Sequence, residues 1–179
     1  YFQAMAAGIA EPDVRMNPVL LKPHSAGCDV VVNGLLRNDV VAGVPWPQWN
    51  AHLWPYARDA FQSLSADYDR IVLEGMGSPC EINFDEDAAN ILAARESNAA
   101  CLIVTDMEKG GAFSHLYGTF RLLPPDIQRN VAGFVINRFR GDDPSILRRG
   151  VEELRRRTGV GTVAILPYLS AEARCLPDE

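Results

Sequence analysis

Six short apolar runs punctuate the chain, separated by longer stretches of mixed polarity. The runs fall at 19–21, 29–33, 71–74, 101–105, 131–137 and 162–166. They show little alternation of apolar and polar positions, the mark of strands covered on both faces, as in a parallel sheet. Between them, 48–68, 87–97, 111–123 and 145–158 repeat apolar positions at the spacing of an amphipathic helix. This alternation predicts a doubly wound α/β domain with a mostly parallel sheet and right-handed crossovers.

Local punctuation agrees with those boundaries. Asp143-Pro144-Ser145 supplies a capping residue and a first-turn proline for the last helix. Arg155-Arg156-Arg157 stands in its final turn before Gly159, where positive charge suits the negative helix end, so the run reads as a solvated terminus rather than a phosphate patch. Val44-Pro45-Trp46-Pro47 reads as a loop. No repeat, low-complexity segment or linker interrupts the pattern, and one domain is expected.

The 179 residues, 47% hydrophobic and 22% charged, suffice for one substantial core. A net charge of -6 argues against a general nucleic-acid binder, which would need surplus Lys and Arg, yet leaves room for a local basic pocket. Cys28, Cys80, Cys101 and Cys175 form no CxxC pair, so neither a zinc site nor a redox motif is signalled, and reduced thiols in a cytoplasm are expected. No apolar run reaches the ~20 residues of a membrane-spanning helix. Tyr1-Phe2-Gln3 reads as a tag remnant, which leaves 4–179 for the fold.

In open α/β sheets, ligands sit at the carboxyl ends of strands, so polar residues just after an apolar run are the first candidates. Lys22, Glu74, Asp106 and Asn137 occupy such positions, as do Pro167-Tyr168. Each alone is also what an ordinary strand end shows. Glu74 opens Glu74-Gly75-Met76-Gly77-Ser78-Pro79-Cys80-Glu81-Ile82-Asn83. A carboxylate there suits Mg²⁺, directly or through water, and Gly75 and Gly77 allow backbone to approach an anion; a glycine-rich surface turn is the alternative. Asp106-Met107-Glu108-Lys109-Gly110-Gly111 opens the next helix, whose free N–H groups favour a phosphate, with a plain capped turn as the alternative. Lys22 offers a point charge for a carboxylate or phosphoryl oxygen. His24, His52 and His115 show no HExxH spacing and no GxSxG elbow exists, so serine-triad hydrolysis is not expected.

Together these strings carry a resemblance. Met16-Asn17-Pro18-Val19-Leu20-Leu21-Lys22-Pro23, the segment from Glu74 to Asn83, Gly110-Gly111-Ala112-Phe113 with Tyr117-Gly118-Thr119, and Gly133-Phe134-Val135-Ile136-Asn137-Arg138-Phe139-Arg140-Gly141-Asp142 closely resemble the cobyric acid synthase family, in order and over 6–179. The chain is similar at lower detail to cobyrinic acid a,c-diamide synthase and dethiobiotin synthetase. The resemblance implies a P-loop NTPase-like, dethiobiotin synthetase-like domain joined to a glutaminase domain. It implies that ATP with Mg²⁺ activates carboxylates of a corrinoid, adenosylcobyrinic acid a,c-diamide, and that ammonia from glutamine then forms the amides. By position, Glu74 resembles the magnesium-associated acid and Lys22 the lysine facing the acyl phosphate. Asn137 resembles the adenine reader, and Asp106 with Gly110 and Gly111 marks where substrate and phosphates meet. Arg138 and Arg140 read either as holders of a polycarboxylate or as part of an ion-paired turn.

Departures from the family pattern set further expectations. No GxxxxGK[ST] loop appears, and Met76 and Glu108-Lys109 replace commoner residues. The chain is therefore expected to be a synthetase piece truncated at its N-terminus, inactive alone, and prone to associate as a homo-oligomer through an uncovered sheet position. The rival readings are the a,c-diamide synthase and a non-catalytic P-loop-like nucleotide- or protein-binding module.

Overall fold

The structure, a computed structural model, describes residues 2–81 and 87–169. The Ile82-Asn83 end of the glycine-rich motif, Cys175 and the rest of 170–179 lie outside the described residues, as does Tyr1. Two compact units divide the chain: residues 1–75 with 85–96, and 76–84 with 97–179.

The first unit begins with a short helix, α1 (Phe2–Ala6), followed by strands β1 (Val19–His24), β2 (Gly27–Val32) and β3 (Leu35–Leu36). These pair in the order β1-β2-β3, and both pairings are antiparallel. The runs at 19–21 and 29–33, expected as parallel strands, are thus neighbours in a meander. A two-residue turn joins them, His24 pairing with Gly27 across Ser25-Ala26, and a second two-residue turn leads on to β3. Val32 pairs with Leu35 across Asn33-Gly34, and both turn residues hold positive φ, +48° and +80°, as a two-residue hairpin whose twist matches its strands requires. Val30, Val32, Val41 and Leu53 form the core of this unit, with Val19, Leu21, Trp49 and Tyr56 packed around it. Leu53 comes from α2 (Trp49–Asp67), which confirms the helix expected over 48–68. A π turn, Ala88–Leu92, runs into α3 (Ala93–Ser97), in the place of the helix expected over 87–97. The run at 71–74 joins no sheet among the described residues, and Val72 is 95% exposed.

The second unit holds the parallel sheet. Strands β4 (Cys101–Asp106), β5 (Val131–Phe139) and β6 (Thr162–Pro167) lie in that order, all parallel. Helix α4 (Ala112–Leu122) with the short α5 (Pro125–Asn130) connects β4 to β5, and α6 (Arg148–Thr158) connects β5 to β6. Leu116, Phe134 and Ile136 are completely buried, and Phe120 of α4 meets Phe134 edge-on at 6.0 Å. The second unit is therefore α/β with a three-stranded parallel sheet, which takes in three of the six runs expected as strands of a mostly parallel sheet. Leu102, Val104 and Val163 are 54%, 58% and 59% exposed, so the cover on both faces that their unbroken apolar runs suggested is incomplete among the described residues.

Candidate functional site

The parallel sheet of the second unit gathers polar side chains at its carboxyl edge. Asp106 and Asn137 are partners on adjacent strands, the last paired rung of β4 and β5. Asp106 also caps the single 3₁₀ turn Met107–Lys109, and its Oδ1 accepts the Glu108 N–H at 2.9 Å. This turn holds the Asp106 carboxyl below its usual range through the Glu108 N–H first, with a smaller contribution from the Arg138 guanidinium. Arg138 Nη1 donates to Asp106 Oδ2 at 3.2 Å, joining the two strand tips.

The residue after Asn137 is unusual in its backbone. Arg138 has φ +60°, a left-handed conformation uncommon for a side chain of its size, and Asn137 Oδ1 accepts the Arg138 N–H at 2.8 Å, which anchors it. From there the side chains of Arg138 and Arg140 both reach Glu108. Arg138 Nε lies 3.3 Å from Oε2, while Arg140 Nε donates to Oε1 at 2.6 Å. The Arg140 guanidinium also stacks on the Tyr168 ring, 3.4 Å from its centre, and Tyr168 N–H donates to the Phe139 carbonyl at 2.8 Å. Tips of all three strands are thereby tied together. The turn then ends in Gly110 and Gly111, both at positive φ (+72° and +68°), and Gly111 precedes α4 with no side-chain cap on the helix N-terminus. A helix start with free N–H groups favours an anion.

Among the expected residues, Asp106, Asn137, Gly110 and Gly111 are therefore brought to one edge, and Gly77, at φ +62°, belongs to the same unit. Lys22, Glu74 and Gly75 belong to the first unit. Lys22 lies exposed on β1, directly across from Asp29 of β2, so its strand ends in a hairpin rather than at the edge of a parallel sheet. Glu74 and Gly75 are exposed, and no ion pair joins Lys22 to Glu74 among the described residues. Gly75 has a physical reason to be glycine: a Cβ there would collide with the Asn90 carboxamide, which is held in turn by both oxygens of the buried Asp87. No group of three or more His, Cys, Asp or Glu side chains forms a metal cage among the described residues.

Sequence reasoning missed Glu108 as the hub of the second unit's edge, and Asp87 with Asn90 as the support of Gly75. The charge alternation from Asp106 to Lys109, opposite Arg138 and Arg140 on the next strand, was the available signal for the first. Nothing in the sequence pointed to the second.

No family model matches the chain, and no solved structure matches it. Several curated proteins do. A cobyric acid synthase of Methylibium petroleiphilum is 49% identical over 100% of this chain and 35% of its own length. One of Leptothrix cholodnii is 50% identical over 100% of this chain and 34% of its own, and one of Paracidovorax citrulli is 47% identical over 93% and 34%. The chain thus spans about a third of the length of the curated relatives it matches. From end to end it is homologous to that third of cobyric acid synthase, and this is the family to which its sequence belongs.

Proposed function

We propose that the chain supplies part of the carboxylate-activating machinery of a cobyric acid synthase, acting in cobalamin biosynthesis. The whole protein would amidate side-chain carboxylates of adenosylcobyrinic acid a,c-diamide, with ATP, Mg²⁺ and glutamine. The match over the whole chain carries this reading. The polar carboxyl edge of the parallel sheet supports it, and so does compatibility of this α/β unit with a P-loop-like fold.

The residues present fit the nucleotide in kind. The uncapped start of α4 and the left-handed Gly110-Gly111 suit phosphate oxygens, and Asn137 suits the adenine edge. Glu74 is an exposed acid of the type that holds Mg²⁺ alongside phosphates and water, which needs no protein-only cage. Bound ATP would supply the phosphoryl group that turns a poor acyl donor into one with a leaving group. Lys22 would bring positive charge to oxygens on which negative charge develops. Asp106, kept ionised by its N–H and Arg138 partners, would orient donors at the sheet edge. None of these roles requires a protein nucleophile. A glutaminase domain of the same parent protein would be the source of ammonia, and the compartment would be the cytoplasm.

The test is a chimera. This chain replaces the matching third of the Methylibium petroleiphilum enzyme, and glutamine- and ATP-dependent amidation of the corrinoid is followed by mass spectrometry. The chimera is expected to amidate, and the isolated chain is expected not to. A folded chimera without activity would overturn the reading.

A further inference from the structure

We propose that Arg138 and Arg140 form an oxyanion site, for a carboxylate or a phosphate, in which the Glu108 side chain is a resident counter-anion that the ligand displaces. The geometry distinguishes the two arginines from the acid they share. Each guanidinium has a hold that does not depend on Glu108. Arg138 is fixed by Asp106 Oδ2 at 3.2 Å and by a left-handed backbone that Asn137 pins. Arg140 is fixed by its stack on Tyr168, whose own N–H is bonded to the strand at Phe139. If Glu108 left, both cations would remain aimed at the space its carboxylate fills, already paid for in conformational entropy.

The Glu108 side chain, 27% exposed, has no comparable hold of its own. It sits on one 3₁₀ turn, Met107–Lys109, that ends in two successive left-handed glycines, and beyond its N–H to Asp106 its side-chain restraints are the two arginines themselves. Its two oxygens are shared out, Oε1 to Arg140 and Oε2 to Arg138, which is how a carboxylate or phosphate ligand would be gripped by two planar donors. The Arg138 and Arg140 side chains are 42% and 58% exposed, so the exchange takes place against solvent, where such pairs are weak. Asp106 stays beside the site with both oxygens occupied, by the Glu108 N–H and by Arg138, and it would select against ligands that crowd it with negative charge. The edge where this happens is the carboxyl end of a parallel sheet, the usual place for a ligand in this architecture. The inference rests on the second unit alone and stands whether or not the amidation reading does.

The experiment uses the purified 179-residue chain at low salt, titrated by calorimetry with inorganic phosphate and, separately, with citrate. Glu108→Gln is expected to bind at least one of them about tenfold more tightly than the original chain, because the competing charge is gone. The double variant Glu108→Gln with Arg140→Gln is expected to lose that binding. The anion with the larger gain names the preferred oxyanion. Circular dichroism checks that both variants keep their fold. A parallel measurement needs no variant: the Nε–H resonances of Arg138 and Arg140 in the original chain should shift as the anion is added. Failure of both anions to bind, no gain for either in Glu108→Gln, retained binding in the double variant, or arginine resonances that stay in place would each overturn the proposal.

Discussion

A methyl group added at position 133 has nowhere to go. Gly133 lies on β5 beside the β6 side chain Val163, and a Cβ there would come within 2.5 and 2.9 Å of Val163 Cγ1 and Cγ2. Valine is stiff about χ1, so it cannot swing aside freely. Gly133→Ala is therefore expected to destabilise the protein by ~1–3 kcal/mol, read as a lower urea midpoint followed by circular dichroism; an unchanged midpoint would contradict the packing described. Charge at the other end of the unit makes a prediction of a different kind. Hydrogen bonds from Arg156 and then Arg157 hold the Glu153 carboxyl down at about 2, against an ordinary value of 4.5. A depressed acid contributes stability that is fully present above the unfolded value and is lost as pH falls through the folded one. The stability difference between the original chain and Glu153→Gln should therefore be constant above about pH 5 and shrink between pH 4.5 and about 2. Because these groups are exposed the difference should be small and weaken with salt, and a gap that widened on acidification would refute it.

Elements were legible in the sequence wherever their signal was local and periodic. The helices α2, α4 and α6 and the strands of the parallel sheet all fall where apolar spacing placed them, because each buries one continuous face in its own unit. Pairing was harder to see. The signal for the β2–β3 hairpin, Asn33-Gly34 between apolar residues, was present but was overridden by the unbroken valine run at 30–32, which reads equally well as a buried parallel strand. The run at 71–74 has strand composition without a ladder partner among the described residues, and composition alone cannot supply one. At the site, Asp106 and Asn137 were visible as strand ends, whereas Glu108's bonds to two arginines depend on a left-handed residue that no pattern announces. The first unit's core offers a test at this scale. Leu53 of α2 closes the cluster of Val30, Val32 and Val41, with Trp49 and Tyr56 alongside. Leu53→Ala is expected to cost ~2–5 kcal/mol, seen in urea titrations of tryptophan fluorescence, and a loss below measurement error would show that the helix does not carry that core.

Charge is distributed unevenly over the whole molecule. Residues 1–75 and 85–96 hold twelve acidic and six basic side chains, whereas 76–84 and 97–179 hold eleven of each. The entire net charge of -6 thus belongs to the first unit, and the second is the one suited to attract anions. This agrees with an uncapped helix start and a paired-arginine edge in the same unit. The acid and lysine assigned to metal and phosphoryl chemistry, Glu74 and Lys22, come from the other unit. Glu74 and Lys22 are proposed to serve carboxylate activation, and rate measurements on the chimeric synthase test that role most directly. With the corrinoid and ATP present, carboxylate activation is followed as trapping by hydroxylamine. Lys22→Met and Glu74→Gln are each expected to lower the trapping rate by about 10²–10³ without changing the circular dichroism. Unaltered trapping in the folded double variant would contradict the claim.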